Sequence, residues 1–415
     1  MASTYLSRTP SSATNRKTFT ISTWIKRGTI GSNQYMINAY SDANNLGVLY
    51  FDVSDVLVAK LKISSVVNTS IIPSRVFRDT SAWYHIVWKV DTTQSTESDR
   101  SKLYINGVEE TTFDSATYLS QNADTAFNST AEHTIGAKTT SEYFDGSMSH
   151  FHFIDGTAYD ASAFGEYDAN GVWKIKTSPS VTYGTNGFFI LKDGNSVTDQ
   201  SGNSNNFTVA GGTLTNTEDS PSNVFCTLNP LIATASGFSN SNTTFTNPDS
   251  THKFAGTTLG VKNNKYYFEA KCTTRGSAAG ATKVGVVRVD DDLYGTSNFN
   301  VGDKTYAFVF NAQAEKQTGG VGSSYGTSYT DGDIIGVAVD MDNHNLYFHK
   351  NGTYQNSGVP TSGSTGTGAI SLTSGDFYMP CLGGYGGTVW NLNFGNGYFG
   401  TTAVASAGTN ASGNG

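Results

Sequence analysis

The chain has 415 residues, of which 14% are charged and 12% aromatic, and its net charge is −8. This aromatic content excludes a disordered chain, and the scattered lysines and arginines argue against a nucleic acid partner, which needs a concentrated basic face. No apolar run approaches the roughly 18 residues of a transmembrane helix, so membrane insertion is not expected.

The N-terminal stretch MASTYLSRTPSSATNRKTF lacks the apolar centre of a secretory signal. Three cysteines, Cys226, Cys272 and Cys381, are too few and too scattered for a disulfide framework, and we expect reduced, buried thiols. The sequence therefore predicts synthesis in a cytoplasm. A length of 415 residues fits two domains better than one.

Short alternating strands fill the first half of the chain. The stretch Thr18 to Lys26 places one apolar face on a predicted strand, made of Phe19, Ile21 and Ile25. After a second strand, Trp83 to Val90, the dipeptide Asn106-Gly107 predicts a tight hairpin. A later strand, Tyr143 to Ile154, is expected to carry Met148, His150 and His152 on the face opposite Phe151 and Phe153.

The second half is organised around a strand, a polar turn and a second strand between Asp331 and Gly352. Alternation predicts one buried face, made of Ile335, Val337, Val339, Leu346 and Phe348. The opposite face carries the small residues Gly336 and Ala338. Asn351-Gly352 marks the next chain reversal, because both residues tolerate positive φ.

The order of TFTISTWIK, WYHIVWKVD, LYINGV and FDGSMSHFHFIDG resembles a laminin-G/concanavalin-A-like sandwich over about the first 160 residues. The segment Gly187 to Gly212 contains DQSGNSNN, which resembles the segment that usually opens such a domain. We therefore expect a circularly shifted sandwich in which this segment pairs beside an early strand.

The order of YYFEAK, GVV, DIIGVAVDMDNHNLYFHKNG and VWNLNFG resembles a SPRY domain from Tyr266 to Gly395. The two resemblances imply an all-β fold of two tandem antiparallel β-sandwiches of the concanavalin-A-like jelly-roll kind. The predicted domains are residues 1–222 and 223–400, followed by a flexible polar tail at 401–415.

No catalytic residues are predicted. Glycosidases of this architecture alternate acids along a strand, but here Glu97 and Asp99 are followed by Lys102 at the third acidic position, in a loop. His150 and His152 lack partners for a metal site, and outward-facing or hydrogen-bonded histidines are the preferred interpretation. No cofactor is expected except, as an alternative to a hydrated turn, calcium at Asp290, Asp291 and Asp292.

Ligand binding is predicted on loops at the sandwich rim. The segment Gly319 to Tyr329, GGVGSSYGTSY, has the mixture of glycine, serine and tyrosine that suits recognition. The candidate contact residues are Tyr294, Tyr325, Tyr329 and Trp390, with coverage of the sandwich edge as the alternative role of the tyrosines.

The two domains in series resemble large structural proteins of tailed bacteriophages. This resemblance implies a non-enzymatic protein on the virion surface, made in the host cytoplasm, that serves as a fibre or appendage. Its expected partners are other virion proteins and a host-surface glycan, and a homo-oligomer such as a trimer is expected. The alternatives are a purely architectural capsid-decoration protein and a glycan hydrolase.

Overall fold

The computed structural model describes residues 3–64, 66–192, 196–217, 219–233, 237–289 and 298–408. The chain divides into two compact units, Met1–Val224 and Phe225–Gly415. In this described part, no helix is both long and apolar enough to span a membrane. The described helices are short 3-10 segments, at Glu97–Arg100, Ala161–Ala163, Ala279–Ala281, Val301–Asp303, Gln355–Ser357 and Pro360–Thr365.

The first unit is built from sixteen described strands. In chain order they are β1 (Tyr5–Arg8), β2 (Thr18–Arg27), β3 (Gln34–Asp42), β4 (Asn45–Phe51), β5 (Leu57–Ile63), β6 (Val66–Pro73), β7 (Tyr84–Asp91), β8 (Ser101–Ile105), β9 (Val108–Glu109), β10 (Phe113–Thr117), β11 (Glu132–Ile135), β12 (Gly146–Asp155), β13 (Gly165–Tyr167), β14 (Trp173–Ile175), β15 (Phe188–Ile190) and β16 (Thr208–Gly211).

Two antiparallel sheets enclose the core of this unit. One has the order β10-β6-β5-β4-β3-β11-β1-β16 and the other β15-β12-β2-β7-β8-β9, while the hairpin β13-β14 is separate. The predicted apolar face of β2 lies in this core, where Phe19 packs edge-on against Trp88 of β7. Asn106 and Gly107 have φ of 49° and 84°, so the predicted hairpin turn is confirmed.

The segment from Gly187 to Gly212 returns to the first unit, as predicted. Strand β15 pairs with β12, and β16 pairs with β1. Asp199 folds the intervening turn, because its carboxylate accepts hydrogen bonds from the backbone of Phe189, Ser201 and Asn205 at 2.8–2.9 Å. The D-x-S-G-N motif therefore closes the sandwich.

A β-bulge in β12 corrects the predicted placement of Met148. The pairing with β2 shifts between Ser149 and His152, and His150 adopts a φ of 49°. The extra residue reverses the alternation, so Met148 packs against the same core as Phe151 and Phe153 rather than opposite them.

The second unit contains seventeen described strands. They are β17 (Leu228–Ala233), β18 (Gly237–Ser239), β19 (Thr244–Asn247), β20 (Lys253–Thr257), β21 (Lys265–Thr274), β22 (Lys283–Arg288), β23 (Ala307–Asn311), β24 (Glu315–Thr318), β25 (Val321–Ser324), β26 (Ile334–Asp340), β27 (Asn345–Lys350), β28 (Thr353–Tyr354), β29 (Ile370–Ser371), β30 (Tyr378–Gly384), β31 (Thr388–Asn393), β32 (Tyr398–Phe399) and β33 (Thr402–Ala403).

These strands again form two antiparallel sheets around one core. We call them the β22 sheet, with the order β17-β20-β30-β22-β23-β24-β25, and the β26 sheet, with the order β18-β19-β31-β21-β26-β27-β28 and with β29 paired to β27. Strands β32 and β33 form a small hairpin, so regular pairing reaches Ala403, inside the segment predicted as a flexible tail. The all-β, two-sandwich fold predicted from the sequence is confirmed.

The central hairpin β26–β27 has the predicted register. Val337 pairs with Phe348 and Val339 with Leu346, and all four side chains are buried in the core. Asp340 holds the turn, because its Oδ1 accepts the backbone N–H groups of Asp342 and Asn343 at 3.1 Å. This acidic segment is thus the polar hairpin turn that the sequence predicts.

Candidate functional site

The rim-loop binding site predicted from the sequence is wrong for Tyr325 and Tyr329. Both rings are buried in the core of the second unit, with 3% and 1% of their surface exposed. Tyr325 Oη donates to the carbonyl of Gly368 at 2.9 Å, and Tyr329 Oη lies 2.8 Å from the carbonyl of Thr282. Their hydroxyls are satisfied by backbone carbonyls, which is what permits a phenol to be buried.

Trp390 is also a core residue rather than a binding residue. It is fully buried, its Nε1 donates to the carbonyl of Gly383 at 3.2 Å, and its ring packs against Tyr329 at 5.9 Å. Tyr294 and the calcium candidates Asp290, Asp291 and Asp292 lie outside the described residues.

The histidines of the first unit are structural. His152 is buried, stacks on Phe189 at 4.0 Å and lies 2.9 Å from the hydroxyl of Tyr183, and His150 Nδ1 lies 2.8 Å from Ser149 Oγ. This outcome agrees with the hydrogen-bonded alternative. Among the residues that the structure describes, no group of three His, Cys, Asp or Glu side chains could hold a metal ion.

A histidine that the sequence did not single out, His85, lies under the β13–β14 hairpin. Its ring stacks between Trp24 and Trp173, at 4.7 and 5.9 Å. Nδ1 accepts the indole N–H of Trp173, so Nε2 carries the proton and donates to Ser22 Oγ at 2.9 Å. Burial lowers the pKa of His85 to about 3, which fits a neutral packing residue.

The glycosidase-like acids are surface residues. Asp99 forms an ion pair with Lys102 at 3.1 Å, and Lys102 pairs at the same distance with Glu109. No residue of the Glu97–Arg100 turn is buried. The segment is thus a solvated turn, in agreement with the loop predicted from the sequence.

An aromatic surface lies on the outer face of the β26 sheet. Tyr267 of β21 extends across β26 to His349 of β27, and Tyr267 Oη lies 2.7 Å from Nε2. The two rings are nearly parallel, with an interplanar angle of 21° and centroids 5.8 Å apart. They therefore lie side by side on the sheet, and Tyr267 keeps 50% of its surface exposed.

The hydrogen bonds fix the direction of donation in this pair. His349 Nδ1 accepts the backbone N–H of Gly352 at 3.0 Å, so the proton of the neutral ring is on Nε2 and is donated to Tyr267 Oη. Tyr267 Oη in turn donates to Glu269 Oε1 at 2.7 Å. Burial lowers the pKa of His349, although Glu269 opposes it, and burial together with the bond to Glu269 raises the pKa of Tyr267.

Two further residues complete this surface. The Tyr354 ring stands nearly perpendicular to His349, at 5.3 Å, and Asn393 Nδ2 lies 3.4 Å from Glu269 Oε2. We call the surface of Tyr267, Glu269, His349, Tyr354 and Asn393 the Tyr267 platform. It combines an exposed aromatic face with a carboxylate and an amide, the groups that pack on and hydrogen-bond to a sugar ring.

Sequence reasoning missed the Tyr267 platform, although a signal for it was present. The face of β26 opposite the core carries Gly336 and Ala338, and such small residues leave room for rings to lie flat. Pairing β21 and β27 with β26 identifies the residues beside these small ones. Gly336 pairs with Glu269 and His349, and Ala338 pairs with Tyr267.

Two parts of the chain match protein-family models. Residues 2–161 match the concanavalin A-like lectin/glucanases superfamily, and residues 265–375 match the SPRY domain. No curated protein sequence matches the chain. Domains of these two kinds point to a role in binding.

Several solved structures are similar in fold. The SPRY domain of human HERC1 is 18% identical, and the match covers 40% of this chain and 96% of that chain with a TM-score of 0.32. A human SPRY domain is 17% identical, with coverages of 38% and 98% and a TM-score of 0.28. A heptameric SAP-like pentraxin from Limulus polyphemus is 16% identical, with coverages of 38% and 71% and a TM-score of 0.29. The two family-model matches place a concanavalin A-like region before a SPRY-like region in the chain.

Proposed function

We propose that this protein is a non-enzymatic glycan-binding protein and that the Tyr267 platform holds the sugar. The observation that carries the proposal is the exposed ring of Tyr267, held flat on the sheet by His349 on one side and Glu269 on the other. A pyranose ring has one face rich in C–H groups, which packs favourably on an aromatic face.

The polar groups of the platform supply orientation. Glu269 accepts hydrogen bonds and can take two hydroxyls of a sugar, while the amide of Asn393 both donates and accepts. Because Tyr267 is anchored at its hydroxyl, it loses little conformational freedom when a ligand stacks on it, which lowers the entropic cost of binding.

The make-up of the platform supports binding rather than hydrolysis. Glycoside hydrolysis uses two carboxylates, one on each side of the scissile bond, about 5.5 or about 6.5–9.5 Å apart. The platform contributes the single carboxylate of Glu269, and this carboxylate is engaged by Tyr267 and Asn393.

We further propose that the setting is the virion surface of a tailed bacteriophage, where the protein is a fibre or appendage. The motive for this setting is the resemblance of the two domains in series to structural proteins of tailed bacteriophages. One site that stacks a single sugar binds with a Kd near roughly 1 mM, and an oligomer such as a trimer raises the avidity by about 10²–10⁴-fold.

A panel of host-surface polysaccharides, incubated with the full-length protein, tests the proposed function. We expect retention of the protein on at least one polysaccharide, with no release of reducing ends. Release of reducing ends would instead establish a glycan hydrolase. Retention on purified virion proteins but on no polysaccharide would support the purely architectural role.

A further inference from the structure

The β22 sheet of the second unit carries an open cleft that the proposed function does not use. Its volume is about 610 Å³, and its polar lining includes the three basic residues His252, Arg275 and Lys283. Glu315 is the carboxylate among its lining residues. We call this space the Lys283 cleft. It lies on the opposite sheet from the Tyr267 platform, so its role can be tested independently.

Lys283 carries a buried ammonium group that forms no ion pair with the carboxylates of the described residues. Only 1% of the residue is exposed, and Nζ donates to Oδ1 of Asn300. An ammonium has three N–H donors, and in the described part of the chain no carboxylate forms an ion pair with this one. Burying an unpaired charge is costly, so a site of this kind favours an added anion.

The surroundings of Lys283 explain how its charge is held. Nδ2 of Asn300 donates to Asp303 at 2.9 Å, which directs Oδ1 of Asn300 toward the ammonium. Burial lowers the pKa of Lys283 to about 8, while Asp303 and Glu315 act in the opposite direction. Glu315 accepts the side-chain N–H of Asn311 at 2.9 Å.

The cleft contains a second cation, the guanidinium of Arg275. The guanidinium of Arg275 is half-buried and makes no hydrogen bond or ion pair with the side chains and backbone that the structure describes. The side-chain amides of Gln313 and Gln317 line the same space and likewise have no hydrogen-bond partner there. Among the described residues, the side chains of Arg275, Gln313 and Gln317 therefore have donors without acceptors, while the ammonium of Lys283 donates to Asn300 alone.

From these observations we propose that the Lys283 cleft binds a hexuronate, with the sugar carboxylate taken by Lys283 and Arg275 and the sugar hydroxyls by Gln313 and Gln317. A carboxylate supplies the acceptors that these cations lack. The polyhydroxylated ring suits the amides, each of which both donates and accepts. The cleft volume of about 610 Å³ accommodates a sugar of this size.

Calorimetric titration of the full-length protein with sodium glucuronate tests this proposal. Glucose is the matched neutral probe, because it differs by having a hydroxymethyl group in place of the carboxylate. We expect glucuronate to bind at least tenfold more tightly than glucose at pH 7. Equal affinity for the two sugars, or absence of glucuronate binding at millimolar concentration, would overturn the proposal.

The variants Lys283→Met and Arg275→Met locate the site. Each should weaken glucuronate binding by about ten- to hundredfold, the usual loss for a hydrogen bond to a charged group. Lys316→Met is the control. Lys316 follows Glu315 on β24 but does not line the cleft, so this variant removes a nearby positive charge without changing the proposed site. Unchanged glucuronate affinity in folded Lys283→Met or Arg275→Met protein would contradict the assignment.

The wild-type pH profile provides a measurement that does not depend on a variant folding. With a pKa of about 8, the protonated fraction of Lys283 falls about tenfold from pH 7 to pH 9, and glucuronate affinity should fall by the same factor. His252 and Cys381 do not titrate in this range, because burial lowers the pKa of His252 and raises that of Cys381. A flat profile would contradict the role of Lys283.

The same titration separates a carboxylate ligand from a phosphate ligand. Glucose 6-phosphate carries the same sugar with a different anionic group and is titrated under identical conditions. Binding of glucose 6-phosphate tenfold or more tightly than glucuronate would overturn the hexuronate assignment. Weaker or equal binding supports it, together with the loss expected in the Lys283→Met variant.

Discussion

The hydroxyl of Tyr267 lies 2.7 Å from Nε2 of His349, whose ring lies over Gly336, its paired residue on the intervening strand β26. A Cβ atom at this position would come within 1.9 Å of Nε2. The arrangement of the two rings thus depends on the missing side chain of Gly336, on the outer face of β26. The next residue on that face, Ala338, is also small.

Gly336→Ala should therefore separate Tyr267 from His349 while preserving the fold. The added methyl group meets the end of a side chain that can rotate, so the free energy of unfolding should fall by no more than about 1–3 kcal/mol. The variant protein should no longer be retained on the polysaccharide that retains the wild-type protein. Gly260→Ala is the control, because the nearest atom to its Cβ is 3.5 Å away. Full retention by Gly336→Ala would show that the flat pair is not needed.

Phe348→Ala should be severely destabilising. Phe348 is fully buried and packs on Phe310 at 5.5 Å, and truncation of a buried phenylalanine costs about 3–5 kcal/mol. Phe377→Ala, at a residue that is 52% exposed, should cost about 1 kcal/mol or less. Urea denaturation of both variants measures the difference. Equal losses would contradict the buried register of β27.

The buried faces of the strands could be predicted from sequence because alternation is a local property. Alternation correctly predicts that Val337 and Phe348 are core residues. The two Asn-Gly dipeptides correctly predict turns. A bulge breaks this logic, since the single extra residue at His150 reverses the alternation and moves Met148 to the core side.

The binding residues could not be predicted in the same way. A segment rich in glycine, serine and tyrosine resembles an exposed loop, but whether a tyrosine is buried depends on a distant acceptor, such as the carbonyl of Gly368 for Tyr325. The Tyr267 platform likewise requires the pairing of β21 with the β26–β27 hairpin, which is far from β21 in the chain. Only tertiary structure provides these contacts.

Asp219→Asn should destabilise the first unit. Asp219 pairs with Lys26 at 2.9 Å, and both side chains are at least 96% buried. Loss of the carboxylate charge leaves a buried ammonium unpaired, which costs about 3–5 kcal/mol. The control Asp249→Asn breaks the more exposed pair with Lys253 and should cost at most about 1 kcal/mol. Similar stabilities of the two variants in urea denaturation would contradict this account.

Stability of the first unit should decrease as the pH falls below 6.5. Burial lowers the pKa of His85 to about 3 and of His133 to about 4, from an ordinary value of 6.5. Below pH 6.5 the unfolded chain therefore binds protons that the folded chain does not, and unfolding is favoured. For each histidine, the free energy of unfolding falls by about 1.4 kcal/mol per pH unit as the pH drops from 6.5 to the folded-state pKa.

Tryptophan fluorescence during urea denaturation can follow this change, since four of the five tryptophans lie in the first unit. Full stability is expected at pH 7.5, with a progressive loss at pH 6 and pH 5. A midpoint that does not change between pH 7.5 and pH 5 would show that these histidines are not buried in the neutral form.

The most direct test of the glycan-binding account compares Tyr267→Ala with Tyr266→Ala in the full-length protein, on cells of the proposed host. The two tyrosines are adjacent and similarly exposed, at 50% and 43%, but they lie on opposite faces of β21. The account predicts that Tyr267→Ala abolishes cell-surface binding and that Tyr266→Ala retains it. Retained binding by Tyr267→Ala would contradict the account.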